Sequence, residues 1–260
     1  MKNQFCSLAR EGRLTIVTLN RPEVMNALHS PAHFELSAIF DEFAADPEQW
    51  VAIVTGAGDR AFCAGNDLKH QAMGGEMQRP PSGFGGITSR FDLDKPLIAA
   101  VNGVAMGGGF EIALACDLII ATERAVFALP EPRVGLAALA GGLHRLPRQI
   151  GLKQAMGMIL TGRRVNANEG KVLGFVNDVV APADLMNAAR SWAAKIIECS
   201  PMSIRASKQT VMRGLGEASV EAALGAQPGY PAVKSMRMSE DFVEGPLAFS
   251  QKRAPAWKGR

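Results

Sequence analysis

Two acidic residues and two glycine-rich stretches carry the chemistry that this sequence suggests. Residues 102–117 read NGVAMGGGFEIALACD, so three consecutive glycines precede a single acid, Glu111, in an otherwise apolar run. Glycine costs ~1 kcal/mol relative to alanine inside a helix, and a buried carboxylate without a partner is also unfavourable. A stretch that carries both costs indicates a functional reason for them.

The three glycines stand where a predicted strand meets a predicted helix. Glycine lets the backbone approach a ligand closely, and the first amides of a helix have no acceptor within the helix. A second glycine-rich turn, AFCAGNDL at 61–68, also follows a predicted strand. We therefore expect one amide from each turn to bind the same oxygen, as in an oxyanion hole. For either turn alone, a tight turn or close helix–sheet packing is the alternative.

A second acid, Glu131, follows Glu111 by twenty residues, in VFALPEPRVG. Two prolines flank it and restrict the backbone, which predicts a fixed, non-helical segment. Glu111 alone could simply compensate the dipole at the first turn of a helix. Two acids held beside an oxyanion site could instead share a water molecule and act as general acid and base.

Other catalytic and binding motifs fail at single positions. The dinucleotide motif G-x-G-x-x-G fails at Ile112, and the phosphate-loop motif fails at Val172. His29 and His33 have the spacing of a zinc-binding helix, but Ser30 stands where the glutamate of H-E-x-x-H belongs. We predict no metal site.

Composition narrows the class of protein. The chain has 260 residues, 47% of them hydrophobic, and a net charge of +3, which suits one core or a core with a small appendage. Basic residues form no dense block, so a nucleic-acid partner is not expected, whereas a slight positive charge suits a phosphate-bearing small molecule. The sequence shows no secretory signal and no membrane span, and its four cysteines lack metal or redox spacing. These features predict a cytoplasmic protein that does not bind membranes.

Strands and helices must alternate to position these residues. The pattern predicts strands at 14–20, 51–55, 96–102 and 118–122, a helix at 30–45 and a helix opened by the three glycines. Functional groups should then lie on strand-to-helix turns of an α/β layer. Residues 70–89 are rich in glycine and proline, which predicts a mobile lid or a disordered loop.

Beyond residue 166 the pattern becomes helical, with helices at 182–198, 201–213 and 240–253 and no strand expected. Four apolar residues recur at helical spacing on one side of the first of these helices. They are Leu185, Ala189, Trp192 and Ile196. We expect this face to exceed what a single core can cover and to lie in a subunit interface.

Five stretches together resemble the crotonase (enoyl-CoA hydratase/isomerase) superfamily. They are LNRPEVMNAL at 19–28, VTGAGDRAFCAGNDLK at 54–69, KPLIAAVNGVAMGGGFEIALACD at 95–117, FALPEPRVG at 127–135 and EGPLAFSQKR at 244–253. The resemblance implies an α/β, ClpP/crotonase-like spiral of ββα repeats. Residues 1–195 would form the core with a coenzyme A site, and residues 196–260 a helical module that assembles a homotrimer or a hexamer of two trimers.

The resemblance also implies a chemistry. The substrate would be an acyl-CoA thioester, and no cofactor would be needed because coenzyme A is part of the substrate. The amides of Ala64 and Gly108 would form the oxyanion hole, with Glu131 serving Cα of the substrate and Glu111 chiefly holding the water. Two glutamates favour an enoyl-CoA hydratase or 3-hydroxyacyl-CoA dehydratase. An enoyl-CoA isomerase, an acyl-CoA hydrolase and a non-catalytic trimer that binds coenzyme A or RNA remain as alternatives.

Further residues are implied in binding coenzyme A. Within one subunit these are Met25, Ala27, Ala64, Gly65, Asn66, Asp67, Leu68 and Gly108. Phe249 and Lys252 match positions that approach the nucleotide from a neighbouring subunit, although Lys252 could also be a solvated helix lysine.

Several segments look closer to one branch, the carnitinyl-CoA dehydratases (crotonobetainyl-CoA hydratases). They include GFGGIT at 83–88, FDLDKPLIAAVNG at 91–103 and the tail at 244–260. The departure is VGLAALAGG at 134–142, where Ala138 and Leu139 replace the proline and the glycine or aspartate of many relatives. That loop should neighbour Glu131, and its apolar residues suit a plain acyl chain better than a trimethylammonium group. Both acyl groups, and both directions of the reaction, stay open.

Overall fold

The computed structural model describes residues 3–260 and contains ten strands and eleven α-helices in that range. The strands are β1 (Cys6–Glu11), β2 (Leu14–Leu19), β3 (Val51–Gly56), β4 (Ala61–Cys63), β5 (Leu97–Val101), β6 (Val104–Met106), β7 (Leu118–Thr122), β8 (Val126–Ala128), β9 (Val165–Asn166) and β10 (Asp178–Val180). The helices are α1 (Ser30–Ala45), α2 (Leu68–Ala72), α3 (Gly108–Ala115), α4 (Gly142–Gln149), α5 (Leu152–Thr161), α6 (Ala167–Leu173), α7 (Leu185–Ile197), α8 (Pro201–Gly214), α9 (Val220–Ala226), α10 (Pro231–Met238) and α11 (Glu240–Ser250). None of these helices is long and apolar enough to cross a membrane.

The strands form two sheets, and the chain passes between them repeatedly. The larger sheet has the order β1-β2-β3-β5-β7-β10, and the smaller has the order β4-β6-β8-β9. Each of the pairs β3–β4, β5–β6 and β7–β8 therefore places its first strand in the larger sheet and its second in the smaller one. A helix follows each pair: α2, α3 and a 3-10 helix at Glu131–Val134. This is the ββα repeat that the resemblance implied, and the fold class is confirmed.

The central strands are almost entirely apolar because both faces of the larger sheet are covered. In β3, Ala52 and Val54 pack into the core between the two sheets, whereas Val51 and Ile53 face α7. Side chains of a strand alternate between faces, so a strand covered on both sides reads as a continuous apolar run. The core between the sheets also holds three phenylalanines with ring centroids 5.1–5.2 Å apart, at positions 110, 127 and 175.

The apolar face of α7 does not fit the interface that we predicted. Leu185 and Ala189 are buried against the larger sheet, and Trp192 and Ile196 pack beside them. The prediction was wrong because a helical stripe shows that a face is buried without showing what covers it.

Two further expectations also need correction. A strand does occur beyond residue 166: β10 pairs in parallel with β7, with Asp178 opposite Ile120. It has only three half-buried residues, too few to show a period of two. The predicted mobile loop at 70–89 is partly ordered, since α2 extends to Ala72 and a buried 3-10 helix at Phe84–Gly86 packs against α1.

Candidate active site

The site lies at one edge of the smaller sheet. Strands β4, β6 and β8 are parallel neighbours, so their carboxyl ends meet at the same edge. Residues 64–68 follow β4, Gly107 to Glu111 follow β6, and Glu131 follows β8. The Gly107 N–H donates to the carbonyl of Ala128, 2.9 Å away, and so ties two of these ends together. The topology brings together segments that lie up to 67 positions apart (131 − 64) in the sequence.

The glycines at 107–109 are required by close approach. Gly107 has a positive φ of 53°, and a Cβ at this position would lie 2.7 Å from Oε1 of Glu131. A Cβ at Gly108 would overlap the ring of Phe84, and one at Gly109 would overlap the Cys63 carbonyl. Any side chain here would therefore displace a neighbour, which explains why the sequence accepts three poor helix formers in a row.

Ala64 cannot supply the oxyanion donor that we predicted. Its N–H already donates to the carbonyl of Met25, 2.9 Å away. The prediction was wrong because it depended on which amide of the turn is free, and that is decided by hydrogen bonds to residues nearly forty positions earlier.

The open amide of this turn belongs to Asn66. The residues around it are paired: the Leu28 N–H donates to the Gly65 carbonyl and the Asp67 N–H donates to the Leu28 carbonyl, at 2.8 and 2.9 Å. The amide of Asn66 has no backbone acceptor within the described chain, and Gly108, as the first residue of α3, has none within its helix. A Cβ on Gly65 would lie 3.1 Å from the Gly108 nitrogen, so the two open amides are neighbours.

Glu111 is buried and held by backbone amides. Glu111 is only 3% exposed, and its Oε1 accepts a 2.8 Å hydrogen bond from the N–H of Gly142. Burial, and secondarily the negative charge of Glu131, raises the pKa of Glu111 to about 7, although hydrogen bonds from Gly142 and Ala140 oppose the shift. A carboxyl group with this pKa can exchange a proton at neutral pH.

Glu131 is oriented differently. It is the first residue of a 3-10 helix capped by Pro130, so the expected non-helical segment was wrong in this detail. Its Oε2 is buried and has no hydrogen-bond partner within residues 3–260. Burial raises the pKa of Glu131 as well. The two glutamates therefore both favour the protonated form more than an exposed carboxyl does.

Residues 134–142 neighbour Glu131, as expected, and also contact Glu111. The Leu136 N–H donates to the carbonyl of Glu131 at 3.0 Å, and the Gly142 N–H donates to Glu111. Within this loop Ala138 is buried, whereas Leu139 is 78% exposed. Apart from the flexibility of its three glycines, nothing in the sequence of this loop indicates that its backbone amides would hold Glu111.

The predicted coenzyme A segments at 25–28 and 64–68 lie against each other. Besides the backbone bonds above, Arg21 pairs with Asp67 at 2.9 Å, and Asp67 caps α2 by accepting from the His70 N–H. Met25 has a positive φ of 58°, as a sharp turn requires. Phe249 ends up 87% exposed near the end of α11.

One side chain that sequence reasoning did not assign to the site faces Gly108, and two more pack against it. The ring of Phe84 faces it, the ring of His33 lies 4.4 Å from that of Phe84, and the guanidinium of Arg79 lies 5.3 Å from the same ring. In the sequence, His33 stands out only through its spacing from His29 in an incomplete zinc motif. No group of three His, Cys, Asp or Glu residues between 3 and 260 is arranged to hold a metal ion.

Comparisons with known proteins agree with this geometry. A family model described as enoyl-CoA hydratase/isomerase matches residues 9–260. Carnitinyl-CoA dehydratase from Escherichia coli (strain K12) is 45% identical over 260 residues, which cover 97% of this chain and 98% of that protein.

Two solved structures are similar along almost their whole length. The enoyl-CoA hydratase from Mycobacterium tuberculosis H37Rv is 37% identical, has a TM-score of 0.92, and covers 98% of this chain and 99% of its own. The carnitinyl-CoA hydratase from Mycobacterium avium is 39% identical with a TM-score of 0.78, and both chains are covered fully. The resemblance seen in the five motifs is thereby confirmed, and this chain belongs to the enoyl-CoA hydratase/isomerase family.

Proposed function

We propose that this protein catalyses the reversible addition of water to an α,β-unsaturated acyl-CoA thioester. The observation that carries the proposal is the placement of a buried carboxyl group, Glu111, and a half-buried one, Glu131, beside two open backbone amides. The family membership and the hydratase and dehydratase names of the relatives support it.

The open amides would hold the thioester oxygen. Hydrogen bonds from Asn66 and Gly108 stabilise the negative charge that develops when the thioester becomes an enolate. Removal of one such donor typically costs ~10²–10³-fold in turnover. Because the amides are fixed by the backbone, they need no reorganisation during the reaction.

The two glutamates would divide the elements of water. Water gives its hydroxyl to Cβ and a proton to Glu111, while Glu131 gives a proton to Cα; exchange with solvent restores both groups. The hydrogen bond from Gly142 holds Glu111 in place, and the unpartnered Oε2 of Glu131 is free to transfer a proton. In the dehydration direction the roles reverse. No electrons are transferred, so this chemistry needs no redox cofactor.

Coenzyme A would lie along residues 25–28 and 64–68, with Phe249 and Lys252 contributed by a neighbouring subunit. A trimer, or two stacked trimers, is the assembly that we propose. Exposed apolar side chains on the last four helices support it. They include Val211, Met212, Val220, Leu224, Met238, Phe242 and Val243. The division at residues 195/196 and a cytoplasmic location stay predictions.

The test is a panel of thioesters offered to the purified protein. We expect 2-enoyl-CoA to be converted to 3-hydroxyacyl-CoA, and the reverse, with an equilibrium reached from either side. A shifted double bond without added water would indicate an isomerase, and release of free coenzyme A would indicate a hydrolase. Either result in place of hydration would contradict the proposal.

A further inference from the structure

Two nitrogen-bearing side chains close to the thioester position have no role in the proposed reaction. His33 and Arg79 both lie against the ring of Phe84, and a Cβ at Gly108 would overlap that ring. Glu111 is one turn further along the same helix as Gly108. An acyl chain bound with its thioester oxygen at Gly108 and its Cβ near Glu111 therefore passes close to Phe84.

His33 presents a buried hydrogen-bond donor. The residue is 0% exposed, and the N–H of Gly85 donates to its Nδ1 at 3.0 Å. Burial, and secondarily the charge of Arg79, lowers the pKa of His33 to about 4, so the ring is neutral at pH 7. Because Nδ1 accepts, the single proton of the neutral ring sits on Nε2. Nε2 has no partner within residues 3–260. A buried donor without an acceptor is unfavourable, so a ligand that accepts from Nε2 would gain a hydrogen bond and relieve this cost.

Arg79 presents a positive charge without a counterion. None of the ion pairs formed among residues 3–260 uses its guanidinium, which stands over Phe84 instead. Its charge acts on both His33 and Glu111, so the guanidinium lies in the neighbourhood of both side chains. Arginine binds carboxylates with two parallel hydrogen bonds, and therefore favours a planar anion.

We propose that His33 and Arg79 recognise a carboxylate at the far end of the acyl chain, so that the preferred substrates are enoyl-CoA thioesters of dicarboxylic acids. This inference rests on the proposed function, since it assigns the acyl group of the same site. A trimethylammonium group at this end would meet the positive charge of Arg79, and the aromatic face of Phe84 that could bind it is already occupied by the guanidinium. The phosphates of coenzyme A are the other anions within one substrate, and the experiment separates the two.

The test uses three thioesters that differ only in the group carried by C4 of a trans-2-enoyl chain. The group is a carboxylate, a neutral isopropyl group or a trimethylammonium group. For the unaltered protein we expect kcat/KM for the carboxylate to exceed that for the neutral isostere at least tenfold, with the cationic substrate lowest.

Arg79→Gln should remove the preference for the carboxylate. Its kcat/KM should fall at least tenfold for the carboxylate substrate, change less than twofold for the neutral isostere and rise for the cationic substrate. Arg79→Lys should restore part of the preference. His33→Leu should lower kcat/KM for the carboxylate substrate alone. Arg124→Gln, the same change at an exposed arginine between β7 and β8, is the matched control and should alter none of the three.

Each remaining result contradicts the inference in its own way. If the neutral isostere is hydrated as well as the carboxylate, the inference fails and the proposed function stands. If none of the three is hydrated, the proposed function fails, and the inference that rests on it fails as well. If Arg79→Gln weakens the binding of free coenzyme A and slows all three substrates alike, Arg79 binds a phosphate of coenzyme A and the inference is overturned.

Discussion

Oε1 of Glu131 lies 2.7 Å from the point where a Cβ of residue 107 would stand, so the position of one catalytic carboxyl group depends on the absence of a side chain at Gly107. The same residue links β6 to β8 through its N–H. The motif GGGFE therefore affects the position of Glu131 as well as that of Glu111, although twenty residues separate the two acids in the sequence.

Gly107→Ala tests this relationship. Gly107 has a positive φ of 53°, and Gly12, with a φ of 59° and nothing within 4 Å of its Cβ position, is a matched control. Both substitutions should lower the free energy of unfolding by ~1–3 kcal/mol through backbone strain. Only Gly107→Ala should lower kcat, by at least ~10-fold, because only there does the new methyl group displace Glu131. Equal kcat in the two variants would remove the steric link.

The raised pKa of Glu111 predicts a specific dependence of stability on pH. Its pKa is raised from 4.5 to about 7 in the folded protein, so between these values the folded state binds a proton that the unfolded state has released. Stability contributed by this group therefore falls as the pH rises from 4.5 to 7. Glu111→Gln removes this dependence on pH. As the pH rises from 4.5 to 7, the free energy of unfolding of the unaltered protein should therefore fall by up to ~3 kcal/mol relative to that of Glu111→Gln. Urea titrations at pH 5 and pH 8 check this; parallel values for both proteins would contradict it.

The oxyanion hole can be tested with a ligand. A substrate analogue whose thioester carbonyl is replaced by methylene keeps coenzyme A and the acyl chain but has no oxygen to accept from Asn66 and Gly108. We expect it to bind at least ~10-fold more weakly than the thioester, since hydrogen bonds to a polarised oxygen are lost. Isothermal titration gives both dissociation constants, and equal values would show that these amides do not bind the carbonyl.

The proposed assembly into a trimer or hexamer predicts a role for Lys252 in coenzyme A binding. If Lys252 comes from a neighbouring subunit, Lys252→Gln should weaken coenzyme A binding severalfold, whereas Lys234→Gln, an exposed lysine on α10, should leave it unchanged. Light scattering should give the mass of a trimer or hexamer, and activity should fall on dilution below the dissociation range. A fully active monomer would show that no neighbour completes the site.

The sequence predicted the central strands and the glutamates because their signals are local. VAIV at 51–54 and LIAAV at 97–101 are apolar at every position, which few structures other than a covered strand explain. The strand β10 escaped prediction because three half-buried residues carry no period, and its place in the sheet depends on pairing with β7.

The oxyanion donor escaped for a different reason. The choice between Ala64 and Asn66 depends on which amide Met25 and Leu28 occupy, and no pattern within residues 61–68 records that pairing. Likewise, His33 and Arg79 are 46 positions apart (79 − 33) in the sequence, and both pack on the ring of Phe84. Interactions of this kind become visible only in the folded chain.

The most direct test of the central claim follows hydration of a 2-enoyl-CoA in D₂O, with the unaltered protein and with Glu131→Gln. Proton delivery to Cα is assigned to Glu131, and a positioned acid of this kind contributes ~10²–10⁴-fold. We predict that the unaltered protein forms 3-hydroxyacyl-CoA carrying one deuterium at Cα, and that Glu131→Gln binds coenzyme A normally but forms this product at least ~10²-fold more slowly. Undiminished formation of the deuterated product by Glu131→Gln would contradict the assignment of the Cα proton to this residue.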